Sequence, residues 1–429
     1  MRGIKDRDIR FKGFKKLETA NSALTKYLAV LDLKPTPLVE VPLRKAKDRV
    51  LAEDVTSPVD VPPFNRASMD GYAVREVDIR GAVETTPLRL KVVGKSLTGQ
   101  PFKGQMKEGE TVEIATGAEI PEEADAVVMY ESTKRFEDEV EIYGAVTRWE
   151  NVSRRGEDVR KGDLIARAGR SLTSFDLALI ASLGISRVPV RKRPVIALIA
   201  VGEELVDVYK TERSLHKIIE TNRLMLSGLV EEYGGEPLEF DIVGDNIEDI
   251  EKVLSRALVA VDIVVFTGGT SVGEMDLLPR LIGERGDIFV HGVSMRPGKP
   301  IVLARVEEKP VVCLPGYPVA AAVDFLFFVR PLMEALVGVK GRYLWRKILA
   351  KTSKRIPSRP GIRHYVRVKL IRRDGMLYAH PVGIGGAGIL STLTEADGFV
   401  VVREEREGIE KGEEVEVQVY RSYVDEQSL

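Results

Sequence analysis

Val261-Asp-Ile-Val-Val-Phe-Thr-Gly-Gly-Thr-Ser-Val-Gly-Glu-Met-Asp276 decides the fold, read with Met295-Arg-Pro-Gly-Lys-Pro300 and Cys313-Leu-Pro-Gly-Tyr-Pro318. The β-branched run 263–266 reads as a strand. It empties into a loop of glycines and hydroxyls (Gly268, Gly269, Thr270, Ser271, Gly273), and a helix-like stretch follows from about Glu274. Strand, loop and helix in that order aim free backbone N–H groups at an anion. Glu274 and Asp276 stand just beyond the loop, where they would repel an anion unless a metal or positive group intervenes. Lys299, pinned between Gly298 and Pro300, reads as an anion contact, and Arg296 is a weaker version of the same argument. The pattern predicts phosphate and metal chemistry at one strand-end crevice.

Outward from this stretch the elements alternate. We expect strands at 195–201, 238–243 and 262–267, helices at 220–233 and 247–260, and a long apolar helix at 319–336. Alternation of this kind means βαβ units and a mostly parallel sheet covered on both faces, with its ligand crevice at the carboxyl ends of the strands. Downstream, strand-like runs at 346–352, 364–370, 377–381, 399–403 and 415–419 predict a small β barrel or sandwich. Upstream, residues 71–149 show short alternating strands (88–93, 111–114, 126–130, 140–146) with Gly/Pro turns, an all-β module. Helical spacing at 19–31, with Asn21 and Ser22 as candidate caps, at 46–52, and at 174–183, with Asp176 in the first turn, brackets that module. The expected fold class is therefore multidomain α/β plus β. It comprises a discontinuous helical domain (1–57 and 159–193), an inserted β domain (58–158), a three-layer α/β domain (194–340) and a C-terminal β barrel (341–429).

Composition bounds the partners. With 429 residues and a formal net charge of -1, nothing advertises nucleic acid or an anionic membrane. No apolar run approaches a membrane span, and the basic N-terminus (Arg2, Lys5, Arg7, Arg10) lacks the apolar region of a signal peptide. The single cysteine, Cys313, excludes an intrachain disulfide and fits a buried strand position in a reducing, cytoplasmic setting. Four histidines, none at zinc spacing, argue against a histidine zinc site.

A set of motifs in one order then names a family. Pro63-Phe-Asn-Arg-Ala-Ser-Met-Asp-Gly-Tyr-Ala73, Ala115-Thr-Gly-Ala118, Arg155-Gly-Glu-Asp158, Val201-Gly-Glu-Glu-Leu205, Glu220-Thr-Asn222, the Gly268 to Gly273 loop, Pro297-Gly-Lys-Pro300 and Leu314-Pro-Gly-Tyr-Pro318 together resemble the molybdopterin molybdenumtransferases, related to the E domain of gephyrin. The resemblance implies an elongated homodimer and the last step of molybdenum cofactor synthesis. In that step an oxyanion of molybdenum or tungsten reacts with adenylylated molybdopterin, and AMP leaves with help from Mg²⁺. It further implies Glu204, Asp245 and Asp276 as metal carboxylates, with Asp70 among the catalytic acids. Asn65, Thr116, Asp158, Arg296, Lys299, Pro315, Pro318 and the glycine loop would bind substrate. The site would be composite between protomers, and the molybdopterin adenylyltransferase is a candidate partner. The chain departs from the family at Asn65 (usually aspartate), Glu220 (usually aspartate), Gly292 (often lysine) and Tyr317 (commonly asparagine). Two alternatives are the adenylyltransferase itself, whose single domain resembles residues 194–336, and a non-catalytic scaffold like gephyrin.

Overall fold

The computed structural model describes residues 17–209, 216–269, 277–339, 346–383 and 386–420. The chain forms two compact units, one of Glu40–Lys47 with Leu51–Val190 and the other of the remaining segments. Helix α1 (Ala20–Val30) opens the larger unit. Its cap is Thr19, whose hydroxyl accepts from Ser22 N at 3.3 Å, so Asn21 and Ser22, expected as caps, lie inside the helix. Ala20, Ala23 and Tyr27 are buried in the α/β core beside Leu303 and Val312, because a short amphipathic helix gains most where it covers an apolar sheet.

The smaller unit contains a six-stranded sheet. Its strands are β1 (Gly71–Val74), β2 (Leu88–Ser96), β3 (Glu110–Ile114), β4 (Ala126–Met129), β5 (Thr133–Phe136) and β6 (Glu139–Ile142), in the order β4-β1-β3-β2-β6-β5. Only β2 and β3 run parallel. Alternation sends Ala73, Val112, Ile114 and Val127 to one apolar cluster and Tyr72, Val74, Val128 and Val140 to another. Gly71 is required because a Cβ would overlap the Val128 carbonyl. Helix α2 (Ser174–Ser182) carries the capping box of Thr173 with Asp176. The helix expected at 46–52 is absent. Asp48 takes a left-handed φ of 60°, and Leu51 bridges Val190 as an extended residue instead.

The larger unit continues with β7 (Val195–Ala200), α3 (Asn222–Glu232), β8 (Glu236–Glu239), α4 (Ile247–Ala260), β9 (Ile263–Thr267), α5 (Leu277–Arg285), β10 (Gly286–His291), β11 (Met295–Arg296), β12 (Val302–Val306), β13 (Lys309–Leu314) and α6 (Pro318–Asp324). A π-helical turn, Phe325–Val329, carries α6 into α7 (Arg330–Val337). The sheet order is β8-β7-β9-β13-β12-β10. The first four strands are parallel, and β12 and β10 close one edge antiparallel. The strand expected at 238–243 starts earlier, and Val243 keeps only a single bridge to Val201. Helices α1, α3, α6 and α7 cover one face, and α4 and α5 the other. Cys313 is buried in β13.

Strands β14 (Arg346–Thr352), β15 (Arg363–Arg373), β16 (Met376–Pro381), β17 (Gly398–Val402) and β18 (Glu414–Val419) follow. They pair in the order β15-β16-β14-β18-β17, and β17 pairs back onto β15. The result is a closed five-stranded barrel filled by Val366, Val368, Leu370, Val400 and Val417. Strand β11 leaves the α/β sheet and joins β15 in parallel, with Met295 opposite Arg363 and Arg296 opposite His364.

Tyr27 ties α1 to the hairpin edge: its buried hydroxyl donates to Ala304 O at 2.6 Å. Tyr27→Phe leaves that side-chain bond unmade at about 1–2 kcal/mol. We expect a lower urea midpoint with an unchanged slope. An unchanged midpoint would mean that the ring alone holds the helix.

Candidate functional site

Three loops meet at the carboxyl ends of the parallel strands. Val201 N donates to Thr267 O at 2.9 Å, Gly202 N to Val243 O at 2.9 Å and Gly268 N to Leu314 O at 3.2 Å. Gly268 (φ 86°) lies so close to Val201 that a Cβ would overlap its carbonyl, and Gly316 would set a Cβ only 3.6 Å from Gly268 Cα. Glycine is needed because the strands end packed backbone to backbone. Pro315 is buried in this junction, and Pro318 begins α6. Gly269 completes the described part of the loop.

Two carboxylates leave neighbouring strand ends. The Glu204 carboxylate lies against Gly202, within 2.7 Å of where a Cβ would stand. Asp245 Oδ2 accepts from Glu203 N at 3.4 Å. Both are exposed. Glu220 serves packing: it binds Arg223 Nε at 3.0 Å, and Arg223 reaches Asp207 at 3.0 Å. The extra methylene at this position thus serves a buried ion pair. Asn222, next in that motif, donates its Nδ2 to Gly316 O at 2.8 Å.

The corner Met295-Arg-Pro-Gly-Lys-Pro300 presents Arg296 and Lys299 as exposed side chains. Val293 N donates to Lys299 O at 3.0 Å, closing the corner. Behind it Asp324 is fully buried against Gly298. Neither of its oxygens has a hydrogen-bond partner, and burial pushes its carboxyl well above the usual carboxylate range. Gly292 is buried at φ 86°, a left-handed backbone conformation that favours glycine over a residue with a side chain.

The β11–β15 splice creates a cavity of about 190 Å³ lined by Arg296, Pro297, His364, Arg367, Gly383 and Ala387 among others. His364 and Arg367 are each only 7% exposed. Arg367 donates through Nη2 to Gly383 O at 3.1 Å, while its Nε and the Nδ1 of His364 have no hydrogen-bond partner. Burial pushes the His364 imidazole down to about 4, with the Arg296 and Arg367 charges adding to the shift. Burial and Arg296 likewise pull Arg367 below its ordinary value. Cations crowded together with unmade hydrogen bonds are a built receptor for an anion. Sequence reasoning found Arg296 but missed His364 and Arg367. The available signal was the stretch His364-Tyr-Val-Arg-Val368, where a histidine and an arginine stand among apolar residues.

The smaller unit gathers its own set. Asp70 Oδ1 accepts from Thr116 N at 2.7 Å, and the Thr116 backbone and side chain hold the Asp70 carboxyl below its usual value. Asn65 Oδ1 accepts from Arg155 N at 2.9 Å. Arg155 pairs with Asp60 at 2.7 Å rather than with Asp158, and Asp158 is exposed with its N–H on Val61 O at 3.1 Å. Ala67 N on Ala118 O and Gly117 N on Ala67 O knit the Asp70 and Thr116 loops together. Thr270, Ser271, Gly273, Glu274 and Asp276 lie outside the described residues.

A three-layer α/β fold with glycine loops at its strand ends is thus joined to a β barrel, with a cavity where β11 meets β15. Comparison places it further. The MoeA N-terminal region (domain I and II) matches residues 16–184, the probable molybdopterin binding domain 197–335, and the MoeA C-terminal region (domain IV) 350–420. A putative molybdopterin biosynthesis protein of Methanocaldococcus jannaschii is 38% identical over 387 residues, covering 88% of this chain and 91% of that one. The molybdopterin molybdenumtransferase of Haemophilus influenzae is 33% identical over 407 residues, covering 94% and 98%. The crystal structure of a molybdopterin biosynthesis MoeA protein from Pyrococcus horikoshii OT3 superposes with a TM-score of 0.82 at 33% identity, covering 94% and 100%. The chain belongs to the molybdopterin molybdenumtransferase family, transferases of molybdenum cofactor biosynthesis. Among the described residues no helix is long and apolar enough to cross a membrane.

His364 gives a signed pH prediction. Its folded value, about 4, lies below the ordinary 6.5, so the unfolded chain takes up its proton first. The stability it contributes is full above about pH 6.5 and is lost as pH falls towards 4. His364→Gln should flatten the fall of the thermal midpoint across that window. Identical slopes in the two proteins would show that the imidazole is solvated.

Proposed function

We propose that this protein inserts molybdenum from its oxyanion into adenylylated molybdopterin and releases AMP, with Mg²⁺ assisting. The observation that carries the proposal is the cavity: Arg296 and Arg367 face a buried, neutral His364, and neither Arg367 Nε nor His364 Nδ1 has a hydrogen-bond partner. A tetrahedral dianion with acceptor oxygens satisfies such donors, and either molybdate or tungstate has that form. Lys299 and the Gly268–Gly269 backbone stand at the adjoining strand ends, where the pyrophosphate of the nucleotide needs positive charge and N–H donors.

Glu204 and Asp245 fit Mg²⁺. A pair of exposed carboxylates suits an ion that keeps waters and takes substrate oxygens; Asp276 is the third candidate. Once bound, the ion would neutralise charge on the pyrophosphate. Glu204 and Asp245 would hold it, and Lys299 would orient the phosphates. We assign Asp70, Thr116, Asp158 and Asn65 to the other wall of a composite site in a homodimer. Asn65 carries no charge there and serves as a hydrogen-bonding amide. Matches to all three regions of the family favour this reading over an adenylyltransferase, which needs only the central domain.

Calorimetry with molybdate tests it. Arg367→Gln should weaken molybdate by on the order of ten- to a hundred-fold, the worth of a charge-assisted bond. The bound dianion raises the His364 pKa, so binding should take up a proton and tighten as pH falls from about 8 to about 6. Molybdate affinity that ignores both Arg367→Gln and pH would contradict the assignment.

A further inference from the structure

Tyr317 is an aromatic ring held rigidly in the open. Its side chain is 65% exposed, yet the backbone around it is fixed on both sides. Before it, the Gly316 carbonyl accepts from Asn222 Nδ2 at 2.8 Å. After it, Pro318 starts α6, Ala321 N donates to Tyr317 O at 2.9 Å, and Val319 N donates to Ala387 O at 3.1 Å. The ring lies over Gly388, where a Cβ would come within 3.0 Å and 3.3 Å of two ring carbons. Glycine there leaves a flat peptide surface behind the ring. An aromatic backed on one face and open on the other can stack a planar partner at little cost in side-chain entropy.

The position of the ring adds a second observation. Gly386 and Ala387, on the segment that supports the ring, also line the cavity of Arg296, His364 and Arg367. On the other side Gly316 packs on Gly268 of the strand-end loop. Tyr317 therefore stands between the crevice that suits phosphates and the cavity that suits an oxyanion. The hydrogen-bonding needs of its neighbours explain the backbone but not an exposed ring, and no described side chain pairs with it.

We infer that Tyr317 is a stacking platform for the planar nitrogen heterocycle of the substrate, setting that ring beside the oxyanion cavity. This rests on the reading of the cavity given above. Two rings of the adenylylated substrate share the required chemistry, the pterin and the adenine. Metal delivered from the cavity must reach the pterin's dithiolene, so the pterin is the expected occupant. An asparagine, common here in the family, has no such face, so the platform is a specificity element of this chain.

The experiment measures affinities of adenylylated molybdopterin, molybdopterin and AMP, each with molybdate affinity as an internal control, for the parent, Tyr317→Ala, Tyr317→Phe and Arg367→Gln. Stacking of one ring on an aromatic corresponds to about ten-fold in affinity. Tyr317→Ala should weaken adenylylated molybdopterin and molybdopterin by about that factor and leave AMP and molybdate unchanged. Tyr317→Phe, which keeps the ring, should bind the pterins within about two-fold of the parent. Loss in AMP and adenylylated molybdopterin with molybdopterin unchanged would keep the platform but seat adenine on it, overturning the pterin assignment. If Tyr317→Ala binds all three nucleotides and pterins like the parent while Arg367→Gln still loses molybdate, the platform is wrong and the cavity reading survives. If Arg367→Gln keeps molybdate while Tyr317→Ala loses molybdopterin, the cavity reading falls and the platform stands. Equal losses in Tyr317→Phe and Tyr317→Ala would assign the effect to the hydroxyl and overturn stacking.

Discussion

Met295 and Arg296 leave the α/β layer and pair with Arg363 and His364 of the barrel, and this two-residue splice is what the site depends on. Without it the corner carrying Lys299 would be a loop on the surface of one layer, and the barrel strand would have a bare edge. With it, Arg296 is held opposite His364, and a cavity forms between a turn of the α/β fold and a strand of the barrel. The buried carboxyl of Asp324, at the end of α6, lies against the same corner at Gly298. Strand β15 and helix α6 thus converge on six residues of sequence, 295–300.

Charge explains the division of labour. The strand-end loops offer backbone donors and two exposed carboxylates, a setting that suits phosphates joined through a divalent cation. Among the described residues, Arg296, Arg367 and a neutral imidazole line the cavity and no carboxylate does, a setting that suits a bare oxyanion. Keeping His364 neutral spares the buried Arg367 and the exposed Arg296 a third positive charge beside them. An arriving dianion reverses that balance, so the cavity is tuned to gain most when it is filled.

Much of this was legible in the sequence. The β9 strand, its glycine loop and α4 follow from an apolar run, two glycines and a helical period, and five barrel strands were visible as alternating runs. Other parts were decided by tertiary contacts. Residues 46–52 have helical composition, but the bridge of Leu51 to Val190 wins over propensity. The cap of α1 moved to Thr19 because burial of Ala20 and Ala23 sets the helix start. Arg367 and His364 fell in a run expected as a barrel strand, and their place beside a cavity depends on β11, which comes from a distant part of the chain. Tyr317 was seen as a departure from the family, but the glycine behind its ring lies 71 residues further along the chain.

Anomalous diffraction from crystals grown with tungstate tests the central claim most directly. The account predicts one strong heavy-atom peak inside the cavity, within hydrogen-bond reach of Arg367 and His364 and beside Arg296. A peak only at the Gly268 and Lys299 loops, with the cavity holding solvent, would contradict it.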